Sequence, residues 1–170
     1  MAENEEYLDL DETLEQVLGF CLDEAQKKKI ELGGFEPFTV IVEGENMHIE
    51  TYPDEDPEAA RANAEAQIRT ASSFATHYAL CYDGFIEAEE EETGEETTLD
   101  AIIVECAQRD MDEAMAIVLV YEDEDGVIDF SEEAGYAGPA EFLFVHDAVK
   151  AAEEEEFAKA QAKIARNTGE

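Results

Sequence analysis

The chain has 170 residues, 45% of them hydrophobic, and its 46 Asp and Glu against 10 Lys and Arg give a net charge of −36. Such a charge repels nucleic acid, anionic membranes and phosphate-rich substrates, so these are poor partners, whereas a basic protein or a cation would be attracted. The length and apolar content suit one domain, residues 1–170, with a core of its own.

The first residues and the cysteines indicate a cytoplasmic protein. Residues 1–7 are acidic and lack the positive and apolar regions of a signal peptide. Cys21, Cys81 and Cys106 are odd in number, far apart and set mostly in apolar patterns, which favours reduced core cysteines. No apolar run reaches the roughly 20 residues that a membrane helix needs.

The N-terminal half predicts a helix, a hairpin and a second helix. Residues 11–32 form an amphipathic helix with Asp11 as N-cap, since its apolar residues recur at helical spacing. Two short apolar strands, 38–42 and 47–52, flank a Gly-containing turn and predict a β-hairpin. Asp56 followed by Pro57 predicts the start of a helix that ends near Ser72 and packs its alanine-rich face on a sheet.

The stretch from Ala75 to Phe130 predicts strands separated by acidic loops. The first strand runs from His77 to Tyr82 and meets a turn or bulge at Asp83-Gly84, after which Glu87 to Thr98, with seven glutamates, forms a solvated loop. The β-branched runs 101–106 and 114–121 predict the next two strands. An acidic turn then leads to a strand over 127–130.

The C-terminal part predicts an irregular segment and a helix. Ser131 to Pro139, with two glycines and a proline, is expected to be irregular, and Phe142 to Val145 is either an edge strand or the lead into the helix at 147–167. The fold class is therefore α+β, a largely antiparallel sheet of about five or six strands in the order α-β-β-α-β-β-β-β-α, with its core in 35–146 between the terminal helices.

Two of these segments resemble a family of small uncharacterised bacterial proteins. The residues that carry the resemblance are Tyr78 to Gly84 and Asp100 to Glu105, which fit a YALxYDG…DAIxVE pattern over about 30 residues. The resemblance implies strands at both segments. It implies no activity and no site residue.

Residues 121–132 partly match a calcium-binding EF-hand loop. Asp123, Asp125, Asp129 and Glu132 fall at ligand positions, and Gly126 falls at the invariant glycine position. Tyr121 stands where the first aspartate ligand belongs, and the preceding residues favour a strand over a helix. We therefore favour a hairpin turn, with a calcium site as the alternative.

Other candidate chemistry is sparse. His48, His77 and His146 lack metal-ligand spacing, and the strand-end carboxylates Asp83, Asp100, Glu105 and Asp129 lack a neighbouring lysine of the nuclease type. No Gly-rich phosphate loop or nucleophile elbow is present. These patterns favour a protein without catalytic activity.

Two functional interpretations follow from the acidity. In the first, the chain is a binding or structural domain whose charge reflects solubility or its host. In the second, it is a DNA mimic or another binder of a basic protein, and a mimic should present its carboxylates in a continuous surface stripe. The sequence does not predict the oligomeric state.

Overall fold

The computed structural model describes residues 11–89, 92–109 and 111–145. It contains two α-helices, α1 and α2, a short 3-10 turn after α2, and seven strands. The helices are α1 Glu12–Leu32 and α2 Pro57–Thr70, and the strands are β1 Phe38–Glu43, β2 Asn46–Thr51, β3 His77–Glu89, β4 Glu96–Gln108, β5 Ala114–Glu124, β6 Val127–Phe130 and β7 Gly135–Ala140. Neither helix within these residues has the length and apolar character needed to cross a membrane.

The strands form one antiparallel sheet in the order β2-β1-β3-β4-β5-β6, and β7 also pairs with β5. This confirms the α+β class and the largely antiparallel sheet, with seven strands where about five or six were expected. The β1–β2 hairpin and the β5–β6 hairpin lie where the sequence predicted them.

The sheet is covered on both faces because its central strands alternate between two apolar sets. On the α1 face, Leu14, Val17 and Cys21 pack against residues such as Val104 and Leu119. On the α2 face, the packed residues are Ala60, Ala64, Ile68, Ala71, Tyr78, Leu80 and Phe144, together with others from β3 to β5. The small side chains of α2 allow close packing on the sheet, as predicted.

Both helices begin and end as their sequences predict. The Asp11 carboxylate accepts the Leu14 N–H at 2.8 Å, and Gly33 ends α1 with a φ of 79°. The Asp56 carboxylate accepts the Glu58 N–H at 3.0 Å, with Pro57 at the start of α2. These contacts satisfy backbone groups that a helix end leaves unpaired.

The predicted turn at Asp83-Gly84 and the predicted loop from Glu87 to Thr98 are wrong in extent. β3 and β4 pair without interruption over 13 residues each, from His77 opposite Gln108 to Glu89 opposite Glu96. Gly84 lies in this ladder, where a Cβ would come within 2.9 Å of the Ile103 Cδ1. Gly84 therefore continues the strand and marks no turn, and its missing Cβ leaves room for the Ile103 side chain.

The predictions for the C-terminal part are corrected in two places. Ser131 to Pro139 is not irregular throughout, because β7 pairs with β5. Pro139 is tolerated in this strand because an edge strand can lack a backbone N–H donor on its outer side. Phe142 to Val145 is not an edge strand. The segment turns inward and buries Leu143 and Phe144 on the α2 face, where the Leu143 N–H donates to the Tyr78 hydroxyl at 3.0 Å. The helix predicted at 147–167 lies outside the described residues.

Candidate functional site

Two acidic hairpins project from the same end of the sheet. β4 and β5 pair from Cys106 opposite Met115 to Ala101 opposite Val120. Beyond the last pair, β4 continues paired with β3, and β5 continues paired with β6. We call residues 85–100 the first hairpin arm and residues 121–133 the second hairpin arm.

The two hairpin arms hold the densest negative charge among the segments described. The first hairpin arm has eight acidic residues in 16 and the second has seven in 13, and neither contains a lysine or an arginine. Every one of these carboxylates that lies within the described residues belongs to an exposed residue. Residues 31–60 also lack cations, yet they carry only nine acidic residues in 30. The carboxylates are thus concentrated at one end of the sheet.

Each hairpin arm also exposes a large apolar side chain. Phe85 in the first arm is 62% exposed, and Val127 in the second is 70% exposed. Phe85 lies opposite Asp100, and Val127 lies opposite Glu124. Each arm therefore combines an apolar contact point with adjacent carboxylates.

A lysine, an aspartate and a tyrosine join α1 to the sheet at the base of the hairpin arms. The Lys29 Nζ lies 2.8 Å from the Asp83 Oδ2, and the Tyr121 hydroxyl donates to the Asp83 Oδ1 at 2.6 Å. The Lys29 ammonium also lies 4.9 Å from the centre of the Tyr121 ring. We call this the Lys29–Asp83–Tyr121 cluster.

The environment favours the charged lysine and the neutral tyrosine in this cluster. Burial alone would lower the pKa of Lys29, but its hydrogen bonds and attraction to Asp83 and Tyr121 outweigh burial and raise that pKa. Burial, together with the Asp83 carboxylate, raises the pKa of Tyr121 to about 12. Lys29 is therefore a structural cation whose charge is matched by Asp83.

The predicted calcium ligands lie in a β-hairpin. β5 and β6 are joined by Asp125 and Gly126, whose φ angles of 53° and 87° are typical of a tight hairpin turn, and the Asp123 Oδ1 accepts the Gly126 N–H at 3.0 Å. Asp123 lies opposite Ile128 and Asp129 lies opposite Glu122, which places the two aspartates on opposite faces. Glu132 follows β6 and is exposed.

This geometry confirms the hairpin and differs from an EF-hand, whose ligands converge between two helices. Within residues 11–89, 92–109 and 111–145, no group of three or more His, Cys, Asp and Glu side chains is arranged to hold a metal ion. A calcium site formed by Asp123, Asp125, Asp129 and Glu132 stays a prediction.

The other candidate side chains are separated in the fold. His48 is exposed and lies 3.8 Å from the Glu43 carboxylate, while His146 lies outside the described residues. Asp83 faces the α1 side of the sheet, whereas Glu105 accepts the Tyr82 hydroxyl at 2.6 Å on the α2 side. Asp100 and Asp129 are exposed on the hairpin arms.

His77 is a structural residue that joins α1 to the sheet. It is buried, with its Nε2 at 2.6 Å from the Asp11 Oδ2 and its Nδ1 at 2.7 Å from the Thr76 hydroxyl. Burial would raise the pKa of the Asp11 carboxyl, but the hydrogen bonds from His77 and the Leu14 N–H lower it. The Thr76 hydroxyl is also within 3.3 Å of the Val42 carbonyl, so it is held in the backbone network.

Sequence reasoning did not identify either of these contacts. The sequence placed Asp83 at a turn and among the candidate strand-end carboxylates, with no indication of a contact to α1. The long separations, 54 residues for Lys29 and Asp83 and 66 for His77 and Asp11, explain why local patterns carried no signal. Comparison of the chain with protein-family models, curated proteins and solved structures finds no match to any of the three.

Proposed function

We propose that this protein binds a basic partner protein through the two hairpin arms and catalyses no reaction itself. The observation that carries the proposal is the concentration of 13 acidic residues among the described residues of the two hairpin arms, without one lysine or arginine, at the same end of the sheet. A charge that served solubility alone would be spread evenly over the surface.

Electrostatics makes these arms suited to a cationic surface. Opposite charges steer association and fix orientation, and the effect decays within about 8 Å at physiological salt, so local density matters more than net charge. Both arms are held by regular strand pairing, which limits the entropy lost on binding.

Phe85, on the α1 face of the sheet, and Val127, on the α2 face, give each hairpin arm one apolar contact for the proposed interface. A lysine or arginine of the partner can place its aliphatic stem on these side chains while its charge meets a neighbouring carboxylate. Phe85 also offers an aromatic face to a cation. Apolar contact is what distinguishes this proposal from simple counter-ion attraction.

DNA mimicry is a second candidate, favoured by the regular spacing of the carboxylates. Glu87 and Glu89 share one strand face at about 7 Å, and Glu89 lies opposite Glu96. The paired parts of the first arm, 85–89 and 96–100, span about 17 Å and carry Glu87, Glu89, Glu96 and Asp100. Duplex DNA carries about ten phosphates over the same length. We therefore favour a basic protein in general over a DNA-binding protein in particular.

The proposed role fits a reducing compartment such as the cytoplasm. Cys21, Cys81 and Cys106 are free and buried in the core of the α1 face. Burial raises the pKa of the Cys21 and Cys81 thiols, which keeps them protonated and unreactive.

The test compares two variants of equal net charge. The hairpin variant carries Glu87→Gln, Glu89→Gln, Glu96→Gln and Asp100→Asn, and the control variant carries Glu15→Gln, Asp23→Asn, Glu31→Gln and Glu36→Gln, all at exposed positions. Each immobilised protein is used to capture proteins from a lysate at about 0.15 M salt.

We expect the wild type and the control variant to enrich the same basic proteins. The hairpin variant should retain less than about a tenth of the captured protein, which corresponds to a loss of at least about 1.4 kcal/mol in binding free energy. Equal losses in the two variants would show that only net charge matters and would overturn the proposal. Release of the captured protein by duplex DNA would identify a DNA-binding partner and favour mimicry.

A further inference from the structure

Among the described residues, none pairs with the outer backbone edge of β2, the first strand of the sheet. All six of its residues, Asn46–Thr51, are exposed, and within the described part of the chain it pairs only with β1. That pairing runs from Glu43 opposite Asn46 to Phe38 opposite Thr51 without a bulge. Such an edge is a template for pairing with another strand.

The opposite side of the sheet is protected against pairing. β7 contains Pro139 and begins with Gly135, and its pairing with β5 is interrupted by a bulge between Ala116 and Ile117. β6 has only four residues. Proline, bulges and short strands are the usual means of blocking an edge. β2 has none of them, since Pro53 follows the strand.

Alternation along β2 determines which groups face outward. The Tyr52 N–H donates to the Pro37 carbonyl at 2.8 Å, so the even-numbered residues direct their backbone groups toward β1. Met47, Ile49 and Thr51 therefore direct their N–H and C=O groups to the free edge. Met47 and Ile49 are also 41% and 51% exposed on the α1 face.

We propose that β2 pairs antiparallel with β2 of a second copy of this chain, with Ile49 opposite its own counterpart. This register brings outward backbone groups together at Met47, Ile49 and Thr51. It also places His48 of each copy opposite Glu50 of the other copy, so this pair occurs twice in the dimer. The strand is thus self-complementary in backbone, apolar contact and charge.

The charge of β2 favours a second copy over a basic partner. Residues 46–51 contain one acidic residue, against eight in the first hairpin arm. β3, the hairpin-arm strand nearest to β2, lies two strand spacings, about 10 Å, from it, which exceeds the screening length of about 8 Å at physiological salt. Glu45 and Asp54 flank the strand, so their repulsion across the pair makes the dimer tighter as salt is raised.

The pairing supports a weak, concentration-dependent dimer. Six residues on each side are fewer than the roughly 20–30 of a standard interface. Leu32, which is 74% exposed, and Phe35 line a groove beside Thr51 and extend the apolar surface of this edge. The inference is independent of the proposed function of the hairpin arms.

The experiment measures the mass of the full chain by sedimentation equilibrium as concentration and KCl are raised. We expect the mass to move from 18.9 kDa toward twice that value, with stronger association at higher KCl. Ile49→Lys should weaken association at least about tenfold, while Ile30→Lys, at an exposed apolar position on α1, should leave it unchanged; Ile49 is 51% exposed and Ile30 62%. Circular dichroism confirms that both variants fold.

Cysteine cross-linking tests the register. Ile49→Cys should oxidise to a covalent dimer, because the Cα atoms of a hydrogen-bonded antiparallel pair lie about 5.5 Å apart, within disulfide range. His48→Cys should cross-link much more slowly. A monomer under all conditions, equal effects of the two lysine variants, or faster cross-linking through His48→Cys would each overturn the proposal.

Discussion

Replacing Lys29 by methionine tests how strongly the Lys29–Asp83–Tyr121 cluster stabilises the fold. The Lys29 side chain is 11% exposed and the Asp83 side chain 26%, so the ion pair is largely shielded from water. Methionine keeps most of the aliphatic stem but removes the charge, which leaves Asp83 with the Tyr121 hydroxyl alone. Removing one partner of a fully buried pair costs about 3–5 kcal/mol. The partial exposure of Asp83 reduces the expected loss to about 1–3 kcal/mol.

The assay is urea unfolding followed by circular dichroism, with Lys27→Met as the matched control. Lys27 lies on the same helix, is exposed, and gives the same change in net charge. A double-mutant cycle with Asp83→Asn should give a coupling energy of about 1–2 kcal/mol between positions 29 and 83. A loss for Lys29→Met within about 0.5 kcal/mol of that for Lys27→Met would refute the reasoning.

Four further predictions concern packing, pH and salt. Tyr78→Phe leaves the buried Leu143 N–H without its acceptor and should cost about 1–3 kcal/mol in urea unfolding. Gly84→Ala should cost less than about 1 kcal/mol, because the Ile103 Cδ1 that its Cβ approaches can move, while Gly84→Val should cost about 1–3 kcal/mol. Because the pKa of Tyr121 is raised in the folded state, the stability that its hydroxyl provides is intact below pH 10 and is lost as the pH rises toward 12. Over that pH range, the free energy of unfolding of Tyr121→Phe should therefore fall less than that of the wild type. Raising KCl should increase the melting temperature, since salt screens self-repulsion at a charge of −36; a flat response would argue against uncompensated repulsion.

The sequence predicted the elements whose signals are local. Asp56-Pro57 and Asp11 placed the helix starts, and strong alternation of apolar residues placed the central strands. Strand ends were harder, because Glu87 and Glu89 are exposed in the outer part of β3 and look like loop residues until the register with β4 is known. A charged side chain at an exposed position does not prevent strand pairing, because the hydrogen bonds between strands are made by the backbone.

The remaining errors arise from tertiary context. β7, with Pro139 and two glycines, becomes a strand because β5 offers it an edge. Phe142 to Val145 has the composition of a strand, but Tyr78 and the α2 face bind it as an inward turn. The Lys29–Asp83–Tyr121 cluster joins three elements and requires the sheet order before it can be recognised. The acidic arms were visible in the sequence, but their common direction was not.

The most direct test of the central claim is an NMR titration of the isotope-labelled chain with a short lysine-rich peptide at about 0.15 M salt. We expect the shift changes to concentrate in residues 85–100 and 121–133, to include the Phe85 and Val127 amides, and to saturate at the same peptide concentration. Shift changes spread over all exposed carboxylates, including those of α1, would contradict a binding site on the hairpin arms.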